Sequence, residues 1–247
     1  MNLLAAETIK LFSVRTTWWC SVLAVLVSAA FGAVFTFIVG DEIQVTVATT
    51  QIACSFGRAV VLVSAVLAAT SETKAGPVLP GMPDRGRVLA ARGAVVAGWA
   101  AALGLVAGLS SWLLGTLVNP GLDLVPATAA DWRALAGQPP LFALTALFGL
   151  GAGLLLRRTG VAVVAVLAWS QLVEGLLVLL PHFAGGLYRW MPFFAAARFV
   201  DSDLTALGLS PDHLPMGPAA YGAYFAAISV LIFLAGVGRN RKQGLRD

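Results

Sequence analysis

Long runs of apolar residues, each bounded by charged residues, dominate the pattern along the chain. A helix needs about 20 apolar residues to cross the hydrocarbon core of a bilayer. The runs predict membrane-spanning helices at about 18–40, 50–70, 94–118, 139–156, 160–181 and 218–238. They are too long for barrel strands and lack a period of two. We therefore predict an all-α polytopic membrane protein, with a single transmembrane domain over 1–247.

The Lys and Arg residues fall mainly on one side of these predicted helices. If both termini face the cytoplasm, the inner segments hold Lys10, Arg15, Lys74, Arg85, Arg87, Arg92, Arg157, Arg158, Arg239, Arg241, Lys242 and Arg246. The outer loops are acidic instead. Because positive charge stays inside, this asymmetry predicts an N-in/C-in, multi-pass protein of the cell inner (plasma) membrane. The net charge of +4 then follows from topology and does not indicate nucleic-acid binding.

Composition and missing motifs exclude several other classes of protein. Apolar residues make up 59% of the chain and charged residues 11%, against roughly 25% charged in a soluble domain. No P-loop, HExxH or CxxC motif occurs. Both histidines, His182 and His213, fall in predicted outer loops, which argues against an intramembrane protease or a haem site. We therefore expect a non-catalytic chain with no cofactor or metal of its own.

Two segments outside the predicted spans have apolar faces. Residues 3–17 alternate apolar and charged positions at helical spacing, which predicts an amphipathic helix on the cytoplasmic surface. Residues 181–217 are aromatic but broken by Gly and Pro, which predicts a re-entrant outer segment between spans 5 and 6. Small-residue pairs that favour helix contacts occur at Gly104 and Gly108, and at Gly149 and Gly153.

Two ionisable residues, Arg58 and Glu174, interrupt the predicted spans 2 and 5. Each lies about two helical turns, roughly 10 Å, below the outer end of its span. A charge at this depth is costly unless it is paired, so we predict that the two side chains face each other. Gln51 and Gln171 could extend them into a polar network. The pair could fix the helix register, line a substrate pathway or couple transport to protons.

The predicted topology and two segments resemble the membrane (permease) subunit of ABC-2-type exporters, in an actinobacterial-like form. The connection between spans 2 and 3 resembles the family at Ser71, Glu72, Gly76, Pro83, Arg85, Val88, Leu89, Ala91 and Arg92. The N-terminal stretch is similar around Glu7, Lys10, Leu11, Arg15, Thr16 and Trp18.

The resemblance implies a membrane subunit that forms the translocation pathway for a hydrophobic or amphipathic substrate, such as a drug, lipid or peptide. It implies a second membrane subunit, in a homodimer or a heterodimer. It also implies separately encoded ATPase subunits that bind ATP and Mg²⁺. The residues implied to couple to the ATPase are Glu72, Lys74, Gly76, Pro83, Arg85 and Arg87.

Two other functions remain open from the residues alone. One is a proton-coupled secondary transporter that uses Glu174 and Arg58. The absence of an inverted repeat argues against it. The other is a scaffold subunit of a membrane complex that does not itself transport.

Overall fold

The computed structural model describes residues 3–39, 45–73, 85–179, 186–200 and 214–243. Within these ranges every regular element is helical. The α-helices are α1 (Leu3–Ser13), α2 (Arg15–Val39), α3 (Val47–Thr50), α4 (Cys54–Thr73), α5 (Arg85–Val118), α6 (Ala129–Ala136), α7 (Gln138–Leu156), α8 (Thr159–Leu167), α9 (Glu174–Leu179), α10 (Pro192–Val200) and α11 (Pro218–Gln243). A 3₁₀ turn (Gln51–Ala53) joins α3 to α4, a π-helix (Ala168–Val173) joins α8 to α9, and a 3₁₀ helix (Leu187–Trp190) precedes α10.

Six helical stretches in the described ranges are long and apolar enough to cross a membrane. They are Arg15–Ile38, Val47–Ser71, Arg85–Val118, Gln138–Leu156, Thr159–Leu177 and Pro218–Asn240. The predicted class, an all-helical protein with six candidate spans, is therefore confirmed, and it indicates a membrane-embedded protein.

The third candidate span differs from the prediction at its first residue. We expected it to begin near residue 94, but α5 begins at Arg85. The charges at Arg85, Arg87 and Arg92 were expected in a connection, and they lie instead in the first turns of α5. Arginine is a good helix former, so a charge can mark the edge of an apolar run without ending the helix.

Helix α7 lies at the centre of the bundle and packs against α4, α5 and α11. A Cβ atom added at Gly149 would lie 2.7 Å from the backbone oxygen of Leu62 in α4. One added at Gly104 of α5 would lie 2.7 Å from the backbone oxygen of Gln138. Gly108 and Gly153 also lie against neighbouring helices. The predicted contacts of both small-residue pairs are therefore confirmed, since only glycine allows the backbones this close.

The aromatic segment before α11 packs onto the bundle. Phe194 of α10 is buried against Tyr221 of α11, and Phe225 joins the same apolar cluster. This cluster also buries Tyr188 of the preceding 3₁₀ helix. Residues 181–185 and 201–213 of the predicted re-entrant segment, which include His182 and His213, lie outside the described residues.

Helix α6 leads directly into α7 and begins at a capping box. The Thr128 hydroxyl accepts a hydrogen bond from the backbone N–H of Asp131, and the Asp131 carboxylate accepts one from the backbone N–H of Thr128. Arg133 Nε in α6 donates to the backbone oxygen of Phe199 in α10 at 3.0 Å. These contacts fix α6 and α10 at the end of the bundle where α7 begins.

Candidate functional site

A cleft of about 460 Å³ opens between α4, the segment from the π-helix into α9, and α10. We call it the polar cleft, after the polar side chains on its wall: Gln51, Ser55, Arg58, Ser170, Gln171, Glu174 and Arg198. Its volume lies in the usual range for ligand pockets, about 300–1,000 Å³. Ile52, Leu62, Phe193 and Phe194 supply an apolar part of the same wall. The cleft therefore offers both charge and apolar surface.

The cleft has an exposed mouth and a buried interior. Ile52 and Gln171 line it and are exposed. Leu172 and Leu176, which follow the lining residues Gln171 and Gly175 in the chain, are more than half exposed. Arg58 and Glu174, by contrast, are both buried. A molecule that enters from the side of the bundle would meet apolar residues first and charged groups deeper in.

Arg58 is a buried cation whose hydrogen-bond partner is neutral. Its Nη1 donates to Oε1 of Gln138 at 3.3 Å. Gln138 stands at the start of α7, and its Nε2 donates to the backbone oxygen of Ala134 at 3.5 Å. No carboxylate of the described residues forms an ion pair with Arg58. The guanidinium therefore lies on the cleft wall with its positive charge unneutralised.

Glu174 is a buried carboxylate directly after the π-helix. Its Oε2 accepts a hydrogen bond of 2.7 Å from the backbone N–H of Phe194. Its Oε1 has no hydrogen-bond partner among the described residues. The backbone N–H of Phe193 and the indole of Trp169 are the next donors around it. π-Helical turns inside α-helices are frequent at functional sites, and this one brings Ser170 and Glu174 to the same wall.

The sequence predicts that Arg58 and Glu174 face each other as a pair, and the structure places them in one cleft without a direct contact. Both side chains line the polar cleft, but they form no direct ion pair. Each is bound by a different neighbour: Arg58 by the side chain of Gln138, and Glu174 by the backbone of α10. The cleft therefore holds a guanidinium and a carboxyl group that are not in contact with each other.

The two glutamines expected to extend the network also line the cleft. Gln51 is buried, and its Nε2 donates to the backbone oxygen of Gly108 in α5 at 3.2 Å. Its amide group is therefore held by α5 and not by Arg58. Gln171 lies at the mouth, where its side chain is exposed.

A second buried charge cluster joins α1 to the helices on either side of residues 74–84. Arg92 of α5 forms an ion pair with Glu7 of α1, at 3.4 Å between Nη1 and Oε2. Its Nη2 donates to the backbone oxygen of Ala68 at 2.7 Å and to Oγ of Ser71 at 3.3 Å. Lys10 adds a longer contact to Glu7, at 3.8 Å. We call this group the Arg92 cluster.

Three of the residues implied to couple to an ATPase, Glu72, Arg85 and Arg87, lie in the two helices that Arg92 joins, α4 and α5. Arg85 and Arg87 are in the first turn of α5, where Arg87 is exposed and Arg85 half-buried. Glu72 belongs to the last turn of α4, and its side chain is not among those described. Lys74, Gly76 and Pro83 lie outside the described residues. The expected role of this set stays a prediction.

No group of metal-binding side chains is found in the described parts of the chain. The prediction that this chain carries no cofactor or metal stays a prediction. Comparison with protein-family models, with curated proteins and with solved structures finds no match to the chain. The ABC-2 resemblance therefore has only the sequence features described above in its support.

Three residues of these sites have roles that the sequence did not predict. Gln138 binds Arg58 from 80 positions away, and Arg198 contributes a second cation to the cleft. Arg92 was interpreted as a topological charge and as part of the family resemblance, yet its ion pair and hydrogen bonds tie three helices together. One signal was visible for Gln138, a polar residue directly before Pro139 and Pro140 at the start of an apolar run.

Proposed function

We propose that this chain is the membrane-spanning subunit of an ATP-driven ABC exporter of the ABC-2 type. Two membrane subunits form a translocation pathway, as a homodimer or with a related chain. Separately encoded ATPase subunits bind ATP and Mg²⁺ beneath them. The substrate is hydrophobic or amphipathic.

The Arg92 cluster is the observation that carries this proposal. An exporter of this kind must transmit movement of a soluble ATPase to its spans through the parts that the ATPase touches. Here the amphipathic α1 and the two helix ends that border residues 74–84 are held together by Glu7, Arg92 and Ser71. A push on α1 or on that connection would therefore reach α4 and α5 together.

The proposal includes an orientation. Both termini face the cytoplasm of the plasma membrane, with α1 on the inner surface, because the Lys and Arg residues concentrate on that side. The segment that contains α10 then lies at the outer side as a re-entrant element. The polar cleft opens in the outer half of the membrane and belongs to the substrate pathway.

Purification from the native membrane in mild detergent tests the proposal. We expect the wild-type chain to copurify with a soluble P-loop ATPase, and the complex to release phosphate from ATP in the presence of Mg²⁺. Glu72→Ala is expected to weaken this copurification. Asp131→Ala, an acidic residue at the opposite end of the bundle, is the matched control and should leave it unchanged.

The absence of any ATPase in complexes that are otherwise intact would contradict the exporter. ATPase binding and transport that Glu72→Ala leaves at the wild-type level would contradict only the coupling role of that residue. A stable complex with other membrane proteins and no transport would support the scaffold alternative.

One observation favours a second candidate, a proton-coupled secondary transporter. Glu174 is a buried carboxylate on a cleft wall, with one oxygen lacking a hydrogen-bond partner among the described residues. Intramembrane carboxylates of this kind act as proton carriers in pumps and transporters. Transport by proteoliposomes under a pH gradient without ATP, lost in Glu174→Gln, would support this candidate over the exporter.

A further inference from the structure

The polar cleft presents opposite charges to the same space without allowing them to cancel. Arg58 and Glu174 are both more than nine-tenths buried. Arg58 has a neutral amide as its partner, and Glu174 has one oxygen without a partner among the described residues. A buried charge without a counter-charge costs several kcal/mol. A ligand that supplies both missing counter-charges would recover much of this cost.

The apolar part of the wall restricts the kind of ligand further. Phe193, Phe194 and Leu62 share the cleft with the charged groups, and Ile52 lies at the exposed mouth. A fully polar ion would leave this surface without contacts. A molecule with a charged head and an apolar tail would place the tail along Ile52 toward the exposed leucines outside.

We propose that the polar cleft binds the headgroup of an amphipathic zwitterion, with its anionic phosphate or carboxylate at Arg58 and its primary ammonium at Glu174. This inference rests on the proposed transport function in naming the zwitterion as the substrate class. Arg198 also lines the cleft and adds a second cation to it. The binding itself needs neither ATP nor an ATPase.

Small amphiphiles that share a hexyl tail test the proposal on the full chain in nanodiscs, by calorimetry against empty nanodiscs. Hexyl phosphoethanolamine carries both charges, hexyl methyl phosphate the anion alone, hexylamine the cation alone, and hexyl glucoside neither. We expect the wild-type chain to bind the zwitterion about tenfold or more tightly than either single-charge probe. The glucoside should bind most weakly.

A second zwitterion separates the two sources of this chemistry. 2-Aminooctanoate carries a carboxylate and an ammonium on the same tail. Tighter binding of hexyl phosphoethanolamine identifies a lipid-like phosphate headgroup, and tighter binding of 2-aminooctanoate identifies an amino-acid-like head. Either result supports the zwitterion, provided that it exceeds the single-charge probes.

Substitutions assign the two charges to their residues. Arg58→Gln should lower the affinity for the zwitterion and for hexyl methyl phosphate by about tenfold, without affecting hexylamine. Glu174→Gln should lower the affinity for the zwitterion and for hexylamine, without affecting the phosphate. Ser64→Ala, in the same helix α4 but outside the lining of the cleft, removes a hydroxyl group without a charge and serves as the control. If a glutamine variant does not fold, the ranking of probes on the wild-type chain still decides.

Three outcomes would overturn the inference. Equal affinity for all probes would make the cleft a non-selective apolar groove. Tighter binding of hexyl methyl phosphate than of the zwitterion would show that Glu174 does not bind the ammonium group. If Arg58→Gln leaves the affinity for every anionic probe unchanged, Arg58 does not bind the anionic group. The binding assay contains no ATPase, so its outcome is independent of the copurification test. Selective binding of the zwitterion by a chain that copurifies with no ATPase would refute only the exporter. A copurifying ATPase together with no selective binding would refute only this inference.

Discussion

The Arg92 cluster and the polar cleft bury opposite charges to similar depths but arrange them differently. In the cluster, Glu7 is 7% exposed and Arg92 9%, and the two form an ion pair. In the cleft, Glu174 is 4% exposed and Arg58 8%, and each binds a neutral group. Burial alone therefore does not distinguish a structural charge from one available to a ligand.

The difference lies in what occupies the space between the charges. In the cluster, α1, α4 and α5 pack together until the carboxylate and guanidinium touch. In the cleft, Gln138 and the backbone of α10 hold Arg58 and Glu174 on a wall around open space. We interpret the cluster as a fixed joint between helices and the cleft as a binding site.

The largest effect is expected from breaking the Arg92 cluster. Arg92→Ala leaves Glu7 buried without its principal counter-charge, and such changes cost about 3–5 kcal/mol. Lys10, at 3.8 Å from Glu7, should keep the loss near the lower end. The measurement is the free energy of unfolding by denaturant in mild detergent. Arg87→Ala, an exposed arginine of the same helix, is the control and should change this free energy by less than about 0.5 kcal/mol. Equal losses of unfolding free energy in Arg92→Ala and Arg87→Ala would show that the Arg92 cluster does not hold the helices together.

A smaller effect is expected where α5 supports the cleft. In Gly104→Ala the new methyl group would meet the backbone oxygen of Gln138, the residue that binds Arg58. Overpacking of this kind costs about 1–3 kcal/mol. Gly98 of the same helix has no atom within 4 Å of an added Cβ, so Gly98→Ala should be neutral or stabilising by up to about 1 kcal/mol. The midpoint temperatures of thermal unfolding of both variants measure the difference. Equal destabilisation by the two substitutions would show that α5 approaches its neighbours no more closely at Gly104 than at Gly98.

The smallest effect concerns pH and the cap of α6, the helix that leads into α7. Partial burial of Asp131 acts to raise its pKa, but hydrogen bonds from the Thr128 hydroxyl and the backbone N–H groups of Thr128 and Ala127 lower it overall. A pKa lowered by folding stabilises the fold above the unfolded value, near 4, and this contribution is lost as the pH falls through the folded value.

Asp131→Asn is therefore expected to cost about 0.5 kcal/mol at neutral pH and almost nothing in strong acid. The measurement is the difference in unfolding free energy between the wild type and this variant across an acid titration. A difference that stays constant with pH would show that the charge of Asp131 does not contribute. The titration isolates Asp131 because both chains share every other ionisable group.

The sequence predicted well those features that depend on neighbouring residues. Apolar runs between charges predicted the six candidate spans, and the spacing of Gly104, Gly108, Gly149 and Gly153 predicted close helix contacts. The prediction failed where a local signal was ambiguous. Arg85 and Arg87 were placed in a loop, because charge was taken to end a helix that in fact continues.

The partners of the buried charges could not be predicted, since they depend on contacts between distant parts of the chain. Glu7 and Arg92 are 85 positions apart, and Arg58 and Gln138 are 80 apart. Equal depth suggested that Arg58 and Glu174 share one region, and both line the cleft. It could not show that α10 supplies a backbone N–H to Glu174, or that residues 168–173 form a π-helix.

Two double-mutant cycles, measured side by side as unfolding free energies, test the contrast between the sites most directly. One combines Glu7→Gln with Arg92→Gln, and the other combines Arg58→Gln with Glu174→Gln. We predict a coupling energy of about 1–3 kcal/mol in the first cycle and less than about 0.5 kcal/mol in the second, in the absence of ligand. A coupling in the cleft as large as that in the Arg92 cluster would show that Arg58 and Glu174 serve each other, and would contradict a cleft with charges available for binding.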